Sequence, residues 1–121
     1  MLFTKSITSV DLARRLEGSW RAHTVSGSAS NLIEVTFNSG GDFLLRTRLN
    51  VRGEPGAPVT QVGRFRAEPM DKRQFRLFLT DEFGVPISSS VRWFVDPDTM
   101  MSDIGRTVFR RLSREDPVAR S

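Results

Sequence analysis

The chain has 121 residues, a formal charge of +4, 38% hydrophobic and 26% charged residues, and no cysteine. This is one domain of globular composition, with disulfides, thiolate metal centres and cysteine nucleophiles excluded outright. Lysine occurs only at Lys5 and Lys72, so arginine carries the positive excess, which either favours anionic partners or coats a solvated surface.

The opening Met1-Leu2-Phe3-Thr4-Lys5 has no apolar core of secretory length. No stretch approaches the length of a bilayer span, and a soluble, cytoplasmic protein is the expectation. Residues 8–16 predict a short helix: Thr8 or Ser9 caps it, Asp11 complements its N-terminus, and Arg14 and Arg15 sit at its end. Leu12 and Leu16 share one face and Gly18 stops the helix. So short a helix needs an apolar surface to lie across.

From Trp20 the hydrophobic period becomes two. Strands are predicted over 19–25, 32–38, 43–52, 60–68, 74–80, 89–95, weakly over 99–103, and over 106–112. Alternation places Ile33, Val35 and Phe37 on one face of the second strand, and Phe43, Leu45 and Thr47 inward on the third. It places Gly63, Phe65 and Ala67, then Phe75, Leu77 and Leu79, then Val91, Trp93 and Val95 inward on the next three. Ser39-Gly40-Gly41-Asp42 is a hairpin signal, and Gly53, Pro55, Gly56 and Pro58 mark a loop. Short strands parted by turn chemistry predict an all-β, eight-stranded antiparallel up-and-down barrel. The expected bounds are an arm with its helix over 1–17, the barrel over 18–113, and a fraying polar tail over 114–121.

Closure of such a barrel brings its first and last strands together, so Trp20 is expected beneath a guanidinium from Arg110 or Arg111. Strand phase decides which: if Phe109 points in, so does Arg111.

Gly18-Ser19-Trp20, the pair Phe37/Gly40-Gly41/Phe43, and an arginine on the final strand together resemble the lipocalin-like (calycin) barrels over roughly residues 9–112. That resemblance implies an eight-stranded barrel with a cup for a small apolar molecule. Two narrower likenesses are also present. Ile104 to Leu112 is similar to the last strand of avidin-type barrels, but the chain lacks tyrosine and the further tryptophans of a biotin site. The helix followed by Leu16-Glu17-Gly18-Ser19-Trp20 looks like small bacterial metalloprotease inhibitors, which normally carry a disulfide; this chain has no cysteine.

The expected ligand-contacting residues are Phe37, Phe43, Leu45, Phe65, Leu77 and Trp93, with Trp20 and Arg111 structural. The same aromatics suit a solid core equally well, although inward Gly63, Ala67 and Thr47 leave room. Arg46, Arg48, Arg52, Arg64, Arg66, Arg76 and Arg92 fall outward, interrupted by Leu44, Phe78 and Phe94. That mixture suggests a homodimer through the barrel wall in preference to a nucleic-acid groove. No catalytic set, phosphate cradle or metal cage is visible, no cofactor is expected, and His23 is a lone histidine without a second haem ligand. The functional expectation is a non-catalytic binder or carrier of a small apolar ligand. The alternative is a protein-interaction or protease-inhibitor-like module acting through the arm or the barrel exterior.

Overall fold

Thr8 opens the helix with reciprocal bonds: its Oγ1 accepts from the Asp11 amide at 3.1 Å, and the Asp11 carboxylate accepts from the Thr8 amide at 3.4 Å. These bonds, with Arg14 and Arg15 nearby, hold the Asp11 carboxyl below its ordinary range. Helix α1 (Ser9–Leu16) then buries Leu12 and Leu16 against the barrel, each burial contributing about 1.5–3 kcal/mol. The computed structural model describes residues 8–71, 73–103 and 106–114. Residues 1–7 of the expected arm and 115–121 of the expected tail therefore lie outside the described residues.

Among the described residues nine strands follow: β1 (Gly18–Ser26), β2 (Ala29–Phe37), β3 (Asp42–Val51), β4 (Glu54–Pro55), β5 (Val59–Pro69), β6 (Gln74–Thr80), β7 (Pro86–Asp96), β8 (Thr99–Ser102) and β9 (Val108–Ser113). The two-residue β4 only folds back on the end of β3, inside what the sequence marks as a loop. The other eight form a closed antiparallel barrel, β1 pairing with both β2 and β9. The closing seam is short, running from Ser19 to Arg21 opposite Arg110 to Ser113. Gly18 lets the chain enter that seam, since its φ is +111° and a Cβ there would lie 2.0 Å from the Ser113 carbonyl oxygen.

Trp20 is fully buried at the helix end of the barrel, its Nε1 donating to the Leu16 carbonyl at 2.9 Å. The Arg111 guanidinium lies over the indole, 4.2 Å from its centroid. It donates to the carbonyl oxygens of Glu17 (2.6 Å), Arg15 and Pro97, and its Nε is 3.0 Å from an Asp98 carboxylate oxygen. One side chain thus closes the seam, caps the helix C-terminus and pins the β7–β8 turn. Arg110, one residue earlier, is exposed.

Around Trp20 the interior is solid. Phe94 is 6.0 Å from its ring and stacks on Phe75 at 5.3 Å, while Phe37 and Phe65 meet edge-to-face at 4.8 Å. The Phe94 position corrects the sequence-based phase of β7. Phe75, Leu77 and Leu79 pair with Arg92, Ser90 and Ser88, so Ser88, Ser90, Arg92 and Phe94 face inward while Val91, Trp93 and Val95 face out. Register irregularities at both ends of β7 set this phase, and a one-residue slip exchanges every side chain between faces. Gly63 also differs from expectation: a Cβ there would meet the Thr80 carbonyl at 1.9 Å and the Phe43 ring at 3.0 Å. It allows β5 and β6 to approach closely and leaves no room for a ligand.

Candidate functional site

Along the inward face of β3 exposure rises steadily. Phe43 is 3% exposed, Leu45 and Thr47 are intermediate, and Leu49 reaches 52%. The barrel is therefore packed solid at the helix end and opens at the other, where Val51 and Val59 also meet solvent. Between floor and mouth lies a cup of about 180 Å³. Ile33, Val35, Leu45, Leu79 and Phe109 give it apolar walls, and Thr47, Ser88, Ser102, Thr107 and Arg92 give it polar points. On one side the wall is thin, because β1 pairs with β9 no further than Arg21 among the described residues.

The expected ligand residues separate into three groups. Phe37 and Leu45 line the cup. Phe43, Phe65 and Leu77 belong to the packed interior beneath it. Trp93 lies on the exterior, paired with Gln74 on β6 and Met101 on β8, because β7 has the opposite phase. The same phase puts Arg92, expected outside, into the cup.

Arg92 is the most unusual group in the molecule. Its guanidinium sits 4.4 Å from the Phe109 ring centroid, its Nε donates to Ser90 Oγ at 3.0 Å, and its Nη1 is buried without a hydrogen-bond partner among the described residues. Burial pushes its pKa down to about 10, opposed by the Asp103 carboxylate. It remains cationic at neutral pH. Asp103 itself is exposed and accepts from the Val91 amide at 3.0 Å, and no ion pair joins it to Arg92 among the described residues. Sequence pattern hides this site: Ser88-Ser89-Ser90 carries no inside–outside signal, and scoring by hydrophobicity selects Val91 and Trp93 over Ser90 and Arg92.

A second hollow, about 700 Å³, lies outside the barrel along α1, bordered by Arg14, Arg15, Arg73, Arg111 and Arg114. Asp98 accepts from Arg114 at 2.8 Å as well as pairing with Arg111, so part of its cationic rim is already neutralised. Elsewhere on the exterior, the apolar wall expected to carry a dimer is reduced. Phe94 is half-buried against Phe75 and borders the hollow along α1, Phe78 lies 4.6 Å beneath the Arg66 guanidinium, and Leu44 and its neighbour Val62 are 38% and 45% exposed. His23 is exposed on β1. Among the described residues no cluster of three potential ligands is placed to hold a metal, and no helix is long and apolar enough to cross a membrane.

No protein-family model matches the chain, and no curated protein or solved structure matches it.

Proposed function

We propose that this protein is a non-catalytic binder of a small, mainly apolar molecule, held in the open half of a lipocalin-like barrel. The observation that carries this reading is the change from packing to cavity along the barrel axis. A barrel of eight strands can be filled completely by its own side chains. Here Trp20, Phe37, Phe43 and Phe75 fill only the helix end, while Ile33, Val35, Leu45 and Phe109 surround about 180 Å³ of space. Pre-formed apolar concavities with a few placed polar groups are the usual form of small-molecule sites. An apolar void of about 150 Å³ accepts a single aromatic ring, so a ligand of that order fits. The outward apolar residues lie on separate strands, Leu44 and Val62 on β3 and β5 and Val91, Trp93 and Val95 on β7, and self-association through the wall is not what carries the reading.

Benzyl alcohol is a suitable neutral probe. In an amide NMR titration, shifts are expected at Val35, Leu45, Leu79 and Phe109, saturating in the millimolar range or below, and lost in Ile33→Phe, which fills the cup. Shifts scattered over the exterior, or equal shifts in the filled variant, would refute the proposal.

A further inference from the structure

We infer that the cup selects a small monocarboxylate, an apolar body of roughly one ring seated among Val35, Leu45 and Phe109 with its carboxylate on Arg92. This rests on the ligand-cup reading above and names the chemistry of that ligand.

The argument starts from two inward arginines in one barrel. Arg111, at the closed end, has three carbonyl oxygens and the Asp98 carboxylate around it. Its Nη1 and Nη2 are held by the fold, and Asp98 supplies a counter-charge 3.0 Å from its Nε. Among the described residues Arg92, in the open half, has the Ser90 hydroxyl and the Phe109 ring face, with Nη1 unpartnered and the Asp103 carboxylate acting on it without an ion pair. A buried charge without a counter-ion is unfavourable, and a ring face compensates only in part. The missing partner is an anionic acceptor, and the cup that Arg92 lines has the space to admit one.

The neighbouring chemistry narrows the class. A single guanidinium, aided by the hydroxyls of Thr47 and Ser88 in the same lining, matches one planar carboxylate, which accepts parallel N–H bonds from a guanidinium fork. A phosphate dianion would need more cations than the cup offers. The remaining walls are apolar, so the rest of the ligand is hydrocarbon. The volume of about 180 Å³ excludes a long acyl chain lying wholly inside and suits a benzoate-sized molecule.

The test uses benzoate, benzyl alcohol and benzylamine against the full chain, by calorimetry and amide NMR with the Arg92 Nε–H signal as a local reporter. Charge-assisted hydrogen bonding in a largely apolar cup leads to benzoate binding at least tenfold tighter than benzyl alcohol, with the Arg92 signal shifted and benzylamine excluded. Arg92→Met should abolish the preference while leaving benzyl alcohol binding in place. Should that variant fail to fold, the three-ligand comparison on the wild type still decides the matter. Equal affinity for benzoate and benzyl alcohol would overturn the carboxylate inference and leave the ligand cup standing, as would an Arg92 signal unmoved by bound benzoate. Absence of binding by all three would overturn both.

Discussion

Removing the Arg111 guanidinium should loosen the barrel at the seam where its first and last strands meet. Arg111→Ala removes a stack on Trp20 at 4.2 Å, about 0.5–2 kcal/mol. It also removes donors to the Glu17, Arg15 and Pro97 carbonyls, each contributing about 1 kcal/mol net after exchange with water. The Asp98 pair adds little, because that carboxylate is 54% exposed and exposed pairs contribute about 0–1 kcal/mol. Burial and the nearby Arg114 hold the Arg111 pKa down, so part of the gain is offset by desolvation. The net loss is about 3–4 kcal/mol, which for a domain of this size lowers Tm by roughly 10–15 °C. Urea unfolding followed by far-ultraviolet dichroism measures it, with an unchanged m-value showing that the native barrel persists. Arg111→Lys should recover less than half, because an ammonium cannot span three carbonyls and cover an indole together. The reasoning fails if Arg111→Ala stays within about 1 kcal/mol of wild type, or if Asp98→Asn costs as much as Arg111→Ala.

Three further outcomes follow from the geometry. Phe94→Ala, which removes a ring packed between Trp20 and Phe75, should cost about 3–5 kcal/mol. Trp93→Ala on the exterior should cost about 1 kcal/mol; urea midpoints in the reverse order would restore the opposite β7 phase. Asp11→Asn should lower the urea midpoint at pH 7. Because the Asp11 carboxyl is held below 3.8, its contribution is present above that value and lost as pH falls through the folded pKa, so the two proteins should converge at low pH. A gap that persists in acid would contradict that assignment. Arg92 has the opposite linkage: with its pKa lowered by burial to about 10, the fold disfavours its charge below that pH, and the penalty fades as pH rises beyond it. Allowing for the lost Phe109 and Ser90 contacts, Arg92→Met should be about 1–2 kcal/mol more stable than wild type at pH 7. A less stable variant would make Arg92 a structural residue.

Much of the architecture is readable from residue pattern because those segments have one solution. Thr8 and Asp11 cap, Leu12 and Leu16 define a face, and Gly18 alone can pass the Ser113 carbonyl. In strands β2, β3 and β6 the inward positions are almost all apolar, while the outward ones are mostly polar despite Leu32, Leu44 and Phe78, so the phase is legible. For the guanidinium over the indole the sequence leaves Arg110 and Arg111 open; Phe109 is buried, and Arg111, in phase with it, lies over Trp20. The candidate site was the hidden part. In β7 the outward residues Val91 and Trp93 are more apolar than inward Ser90 and Arg92, so hydrophobic alternation selects the wrong face. The irregular pairing at Thr80 and Asp96 that resets the phase has no residue signature. A polar group inside a barrel is the exception to the rule that builds barrels, and pattern reading misses it for that reason.

Xenon, which has neither charge nor hydrogen bonds, probes the cup without reference to any ligand chemistry. Crystals of the protein under xenon pressure should show one well-occupied site, bounded by Ile33, Val35, Leu45 and Phe109. Density confined to the outer surface, or a cup filled by rearranged side chains with no xenon inside, would contradict the claim that this barrel is built to hold a guest.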